Sequence, residues 1–251
     1  MKKTTLTLLS LAAVLACYAQ TTGKITYNEK VKLQIKLDGD ANQGMMSNLP
    51  KERNSVCNLF FTADAAIYQK DTTKNHDQNI EHTTEGGGQV MIKMQEPDDK
   101  VYLDLKEKKK TEQRDFMGRM FLVEGDMKNQ VWKLTGKQKQ ILNYSCLEAL
   151  LSDTSKNVNA WFTSAIPVPT GPNGYANLPG MILEISVDSG KKTITAQKIE
   201  LTPIDNSVLV KPTKGKKVTK QEYDKIVADK RKEMAEQYGG NGNVIIKINN
   251  H

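Results

Sequence analysis

The sequence predicts a mainly β protein, built on an antiparallel sheet, with one main helix near its C-terminus. Three observations carry that prediction. The segment KITYNEKVKLQIKLDG alternates, with Val31, Leu33, Ile35 and Leu37 on one side and Lys32, Gln34 and Lys36 on the other. A strand with one buried and one wet face belongs to an antiparallel sheet. Short apolar runs then recur between turn and charge clusters, the pattern of successive strands. Only KVTKQEYDKIVADKRKEMAEQYGGNG carries convincing helix signals.

Taken in order, the 251-residue chain starts with Lys2 and Lys3, the apolar run TLTLLSLAAVLA and the small-residue stretch ACYAQ. That is the order of a secretory signal peptide, and the apolar run is too short for an ordinary membrane span. Cleavage after Ala19, leaving Gln20 first, is the preferred reading. Acylation of Cys17 within VLAC, to give a lipoprotein, is the alternative. Losing Lys2 and Lys3 takes two from the formal charge of +7 and leaves the rest basic. Lysines and acids are interspersed, as in KEKKKTEQRD, which reads as a solvated surface rather than a nucleic-acid groove. Nucleic acid is therefore not an expected partner, and peripheral contact with anionic lipid is a minor expectation. With the leader gone, Cys57 and Cys146 remain. In an oxidising compartment the simplest reading is one disulfide, with two free thiols as the alternative.

DGDANQG turns the chain after the first strand, and SVCNLFFTADAAIYQK carries Cys57 into the core as a strand or strand pair. Residues 70–89 are polar and glycine-rich, which predicts a long loop or insertion. VMIKM, KVYLDL, GRMFLVEG and QVWKLTG read as short strands. KQKQILNYSCLEALL fits strand or helix; Tyr144, Cys146 and the residues after it read as strand, with Ser152 to Asn157 as the turn into NVNAWFTSAI. KKTITAQKIELTPI alternates and then loses register near Lys198, which predicts a bulge. In the helix, Thr219 and Glu222 make a capping box, Gly239 and Gly240 a stop, and Tyr223, Ile226, Val227 and Met234 an apolar stripe. NVIIKINN reads as a terminal strand. The expected organisation is a leader over 1–19, a β-rich domain over 20–215, and a helix and strand over 216–251 that pack on it.

Chemistry is sparse. His76, Asp77, Glu81 and His82 bring metal-ligand types together, but in a stretch with no element to preorganise them, so no metal site is assigned. EGGGQ lacks the GK[ST] and helix of a phosphate loop. No G-x-S-x-G elbow or Cys-His signature is present. The methionines alternate with Phe, Val and Ile, as core or groove lining does. No catalytic residue and no cofactor are assigned.

The stretch AWFTSAIPVPTGPNGYANLPGMILEIS is the densest in structure-bearing residues. Its prolines delete amide donors and exclude a central strand or helix over IPVPTGP. Pro179-Gly180 suits a type II turn. The run Trp161-Phe162-Thr163, Ile166-Pro167, Gly171-Pro172, Leu178-Pro179-Gly180 and Ile182 to Ile185 resembles the exported GLPGLI family, and NYSCLEA resembles that family's GY-x-C-x-KA element. Asn177 stands where the family has its first glycine, Met181 where it has leucine, and Asn143 where it has the glycine before Tyr144. The resemblance implies an exported protein, periplasmic or associated with the outer membrane of a Gram-negative bacterium, with no established activity. The layout is also similar to lipoprotein-carrier envelope proteins, which implies a strongly curved antiparallel half-barrel with an apolar concave face.

The expected function is thus a non-enzymatic envelope protein that binds an apolar ligand or another envelope protein, with Trp161, Phe162, Leu178, Met181 and Leu183 as candidate ligand-binding residues and Pro179-Gly180 as a structural turn. The alternatives are a histidine-independent hydrolase or peptidase using Glu184 or the Asp98/Asp99 pair, and a structural partner in an outer-membrane assembly acting through NVIIKINN.

Overall fold

The structure is a computed structural model that describes residues 21–36, 51–74, 78–83, 89–94, 97–152, 157–238 and 245–247. The leader with Cys17, the DGDANQG turn, His76, Asp77, Glu85 to Gly88, residues 153–156 and the helix stop Gly239–Gly240 lie outside the described residues. Strands dominate. The first four are β1 (Gly23–Lys32), β2 (Gln34–Lys36), β3 (Glu52–Phe61) and β4 (Ala65–Lys70). β5 (Gln78–Thr83) and β6 (Gln89–Met94) pair with each other as a hairpin, so the stretch read as a loop holds a strand. β7 (Lys100–Asp104), β8 (Lys109–Phe116) and β9 (Arg119–Asp126) form a meander. β10 (Trp132–Ile141) and β11 (Tyr144–Leu151) resolve the strand-or-helix ambiguity as a hairpin. β12 (Val158–Thr163), β13 (Met181–Val187), β14 (Lys192–Glu200), β15 (Lys216–Val218), α1 (Lys220–Tyr238) and β16 (Ile245–Lys247) complete the order.

Twelve strands join one open sheet in the order β10-β11-β12-β13-β14-β1-β3-β4-β7-β8-β9-β15. Every pairing is antiparallel except β15 with β9, which is parallel and makes the sheet mixed rather than purely antiparallel. The local reasons are readable. Met117 and Gly118, both at positive φ, form the two-residue loop between β8 and β9, the geometry that matches strand twist. The expected bulge sits at the β1–β14 pairing, where Thr26 faces Lys198 but Tyr27 faces Ala196, so Gln197 is extra. Both sheet edges are blunted. β10 is bulged between Leu134 and Gln138 and carries Lys133, Lys137 and Lys139, and β15 is three residues long.

The core lies on one face of the sheet. In β1 the residues Ile25, Tyr27, Glu29 and Val31 share that face; in β3 Arg53, Ser55, Cys57, Leu59 and Phe61 do. The sheet bends enough that the Tyr27 hydroxyl, starting from β1, donates to the backbone oxygen of Ile182 on β13 at 2.7 Å. α1 covers only the far end: Tyr223 packs edge-on against Phe121 with ring centres 5.5 Å apart, and Val227 joins them beside Val123. The capping box is formed, since Thr219 N–H donates to Glu222 Oε2 at 2.7 Å and Glu222 N–H to Thr219 Oγ1 at 3.2 Å.

The disulfide expectation is corrected. Cys57 and Cys146 are free, buried thiols. They stand on β3 and β11, five strand steps apart through β12, β13, β14 and β1. That is about 24 Å along the sheet at ~4.8 Å per step, whereas a bridge needs Cα atoms within about 7 Å. Tyr27, opposite Cys57 in register and an electrostatic neighbour of Cys146, belongs to the same interior.

Residues 164–180 form a strap across the inner face. Met181 N–H donates to Ile166 O at 3.0 Å and Ile182 N–H to Thr170 O at 2.9 Å, and the Trp132 indole N–H fixes Ala176 O at 2.8 Å. The Pro179 corner is tighter than the expected type II turn. Gly180 N–H donates to Leu178 O, two residues back, at 2.8 Å, a γ-type turn, and Gly180 has φ 147°. A Cβ at Gly180 would lie 2.1 Å from Thr163 O. G180A is therefore expected to destabilise the fold by on the order of 3 kcal/mol, from φ strain and the backbone clash together. Chemical denaturation of both proteins checks this, and an unchanged midpoint would mean that the corner relaxes freely.

Candidate functional site

The candidate residues divide between the two faces of the sheet. Phe162, Leu178, Met181 and Leu183 are 2% exposed or less and pack with Ile166, Val168 and Ile185 in the interior. Trp161, next to Phe162, points to the opposite face, as alternation requires. It is half-buried there, with Lys139 Nζ 4.4 Å from its ring centre and Lys139 in turn 2.6 Å from Glu184 Oε1. The structure therefore brings four of the five together as core and sets the fifth apart.

Around Trp161 the outer face carries a bonded polar row. Glu148, paired with Trp161 across β11 and β12, accepts from Thr135 Oγ1 and from Asn159 Nδ2, both at 2.6 Å, and meets Lys137 at 3.2 Å. Beside it lies a cleft of about 520 Å³ lined by Leu150, Leu151, Asn159, Trp161, Glu184 and Ser186. Apolar side chains therefore alternate with polar ones along an open surface.

The hydrolase candidates are engaged elsewhere. Glu184 is held by Lys139, Asp98 accepts from Gln113 Nε2 at 3.1 Å, and Asp99 accepts from the Arg114 guanidinium at 3.2 Å and from Asp115 N–H at 2.8 Å. On the outer face, the Thr135 hydroxyl lowers the Glu148 carboxyl, chiefly, with Asn159 and Lys137 adding to it. A general acid needs the opposite shift. Among the described residues no cluster of His, Cys, Asp or Glu has the grouping of a metal site.

A second constellation, on the inner face, lay outside the sequence reading. Glu29 on β1 is 3.0 Å from Lys192 on β14 and accepts from the Tyr68 hydroxyl at 3.3 Å. Lys70 and Arg53 also act on it electrostatically. Farther along, Arg114 spans Asp99 and Glu112, at 3.2 and 3.3 Å, and Lys110 lies 2.6 Å from Glu112. Burial alone would raise both glutamates, yet the cations prevail: Glu29 falls below its ordinary value and Glu112 drops from 4.5 to about 2. Burial pushes the Cys57 thiol to about 12 and the Cys146 thiol to about 11, so neither is a nucleophile near neutral pH. A signal for this row was present in the sequence, because Glu29 is in phase with Val31, and Arg53 with Cys57 and Leu59.

Residues 152–184 match a family described as a protein of unknown function (Porph_ging). No curated protein matches. Two solved structures of PNGF-II, in C2 and P21 crystal forms, are similar, with TM-scores of 0.54 and 0.53 and 15% identity in each case. The similarity covers 84% of this chain and 33% and 34% of theirs, so the chain spans about a third of the length of those proteins. At that identity the likeness is one of fold alone.

Two outcomes follow from the buried groups. Because the Glu112 carboxyl is lowered in the folded state, its contribution is complete above the unfolded value of 4.5 and disappears as pH falls through about 2. At 1.36 kcal/mol per pH unit the interval amounts to on the order of 3 kcal/mol. E112Q is expected to be less stable by about that much at pH 7 and to converge on the parent near pH 2; equal stability at both ends of a pH-denaturation series would refute it. Alkylation with mass readout should leave Cys57 and Cys146 unmodified in the native protein and modify both after unfolding without reductant. A mass two hydrogens short in the untreated chain would show a bridge instead.

Proposed function

We propose that this is an exported, non-enzymatic binding protein of the cell envelope whose partner is another envelope protein, docked on the outer face around Trp161. Export rests on the basic, apolar and small-residue order of the first 19 residues, with cleavage after Ala19 preferred to acylation at Cys17, and places the protein in the periplasm or at the outer membrane. The resemblance of the WFT…IP…LPG-x-ILEI layout to GLPGLI proteins favours the same setting.

The observation that carries the choice of partner is the state of the inner face. The strap brings Ile166, Val168, Leu178 and Met181 to 2% exposure or less, so the apolar lining expected for a lipid is in contact with itself. An apolar ligand would have to displace the strap and its bonds to Trp132 and Gln130. The outer cleft has what a protein interface uses: an aromatic anchor, aliphatic Leu150 and Leu151, and a rim of Asn159, Glu184 and Ser186. The Lys139–Glu184 pair holds the indole in place before any encounter. The terminal strand is the weaker docking element, since Ile245–Lys247 already pairs with Gln34–Lys36.

A photo-crosslinking side chain at Ser186, expressed with the native leader, is expected to give a discrete protein adduct in the envelope fraction. The same group at Lys232 on α1 should give none, and W161A should diminish the Ser186 adduct by tenfold or more. Co-purified fatty acid with no Ser186 adduct would return the apolar-ligand reading and sink this one.

A further inference from the structure

We propose that the inner face also holds a binding site for a phosphate group, in the small pocket enclosed by β14, β1, β3, β4, β7 and β8. The pocket, about 30 Å³, is lined by Glu29, Arg53, Lys70, Asp99, Arg114 and Lys192, with Tyr68, Cys57 and Asn173 completing the wall. Its charge is unbalanced: four cations stand against two carboxylates. Glu112 and Lys110, next to Arg114, add one charge of each sign and leave the excess of two unchanged. No other lining group supplies a negative charge, because burial raises Tyr68 well above its ordinary range and keeps the Cys57 thiol neutral.

Such an excess is costly on an inward face. Glu29, Arg53 and Arg114 are 8%, 6% and 9% exposed, and charge at that depth is tolerated only where other charge compensates it. The pairing within the row reduces the cost without removing the surplus, which matches a phosphate monoester carrying close to two negative charges. Guanidinium groups suit phosphate oxygens, and the ammonium of Lys70, at the end of β4, adds a point charge. Size narrows the ligand further. The pocket is far below the ~300 Å³ at which drug-sized ligands begin, so it takes one compact group and no acyl chain. Asn173, at φ 53° in the strap, brings an amide donor to the opposite wall. The site is separate from the Trp161 cleft, on the other face of the sheet, and does not depend on it.

The probe is inorganic phosphate, with glycerol phosphate as a second arm, followed by calorimetry and thermal melting of the intact protein at constant ionic strength. One phosphate per chain and a melting temperature raised by a few degrees over matched chloride are expected. Tighter binding of glycerol phosphate would identify the ligand as the end group of a larger molecule, and tighter binding of phosphate would identify the free ion. K70M should weaken binding by at least tenfold. N173G, which keeps the positive-φ backbone while removing the amide, should weaken it several-fold with melting in chloride unchanged. That second variant keeps the test open if K70M fails to fold. An absent phosphate response, or one retained in full by N173G and K70M, would overturn the proposal.

Discussion

The whole arrangement depends on one close approach, the backbone of Gly180 against the carbonyl of Thr163. There is no room for a side chain between them, since a Cβ would stand 2.1 Å from that oxygen. The contact lets the strap leave β12, cross the inner face and re-enter as β13 beside the strand it left. The crossing places Leu178 and Met181 over the core and positions the Ile182 carbonyl for the Tyr27 hydroxyl. Residues 164–180 therefore act as part of the interior, and the sheet is closed by its own chain over its apolar half.

That closure separates the two kinds of surface. Where the strap lies, the inner face is apolar and filled. Beyond it, across β1, β3, β4, β7 and β8, the same face carries charge, held in a chain of pairs from Lys192 to Lys110. Buried ion pairs seldom add stability over apolar packing, so a row of them on an inward face is weak evidence for a structural role. Its position at the end of the interior, where α1 brings Tyr223 over Phe121 and near Arg114, gives the row a roof without filling the space below.

Much of the fold was legible because its signals are local. Alternation located β1 and β14, the loss of phase near Lys198 located a real bulge, and Thr219 with Glu222 located the helix start. What was missed depends on pairing between distant strands. The two cysteines look like a bridge in a list of two, and only the strand order shows them five steps apart. Pro179-Gly180 fits a type II turn by residue type, but the approach of Thr163 pulls it into a tighter one. The charged row was hidden for a different reason. Glu29 and Arg53 occupy apolar-phase positions, and a reading that assigns the apolar phase to the core passes over charges that share it.

The same phase argument separates Trp161 from Phe162 and so decides what the aromatic pair can do. One ring fills the core and the other lies under a lysine on the outer face, so they cannot serve one ligand. A groove binder would need both on the concave side, which would require a one-residue slip of β12 against β11. The slip would turn Ala160 outward and bring Glu148's neighbour Asn159 into the apolar interior. The amide of Asn159 would then lose its 2.6 Å bond to Glu148 inside the core, a penalty with no compensating contact. The register that buries Phe162 is therefore the one that displays Trp161, and the outer face is the only place its indole can meet a partner.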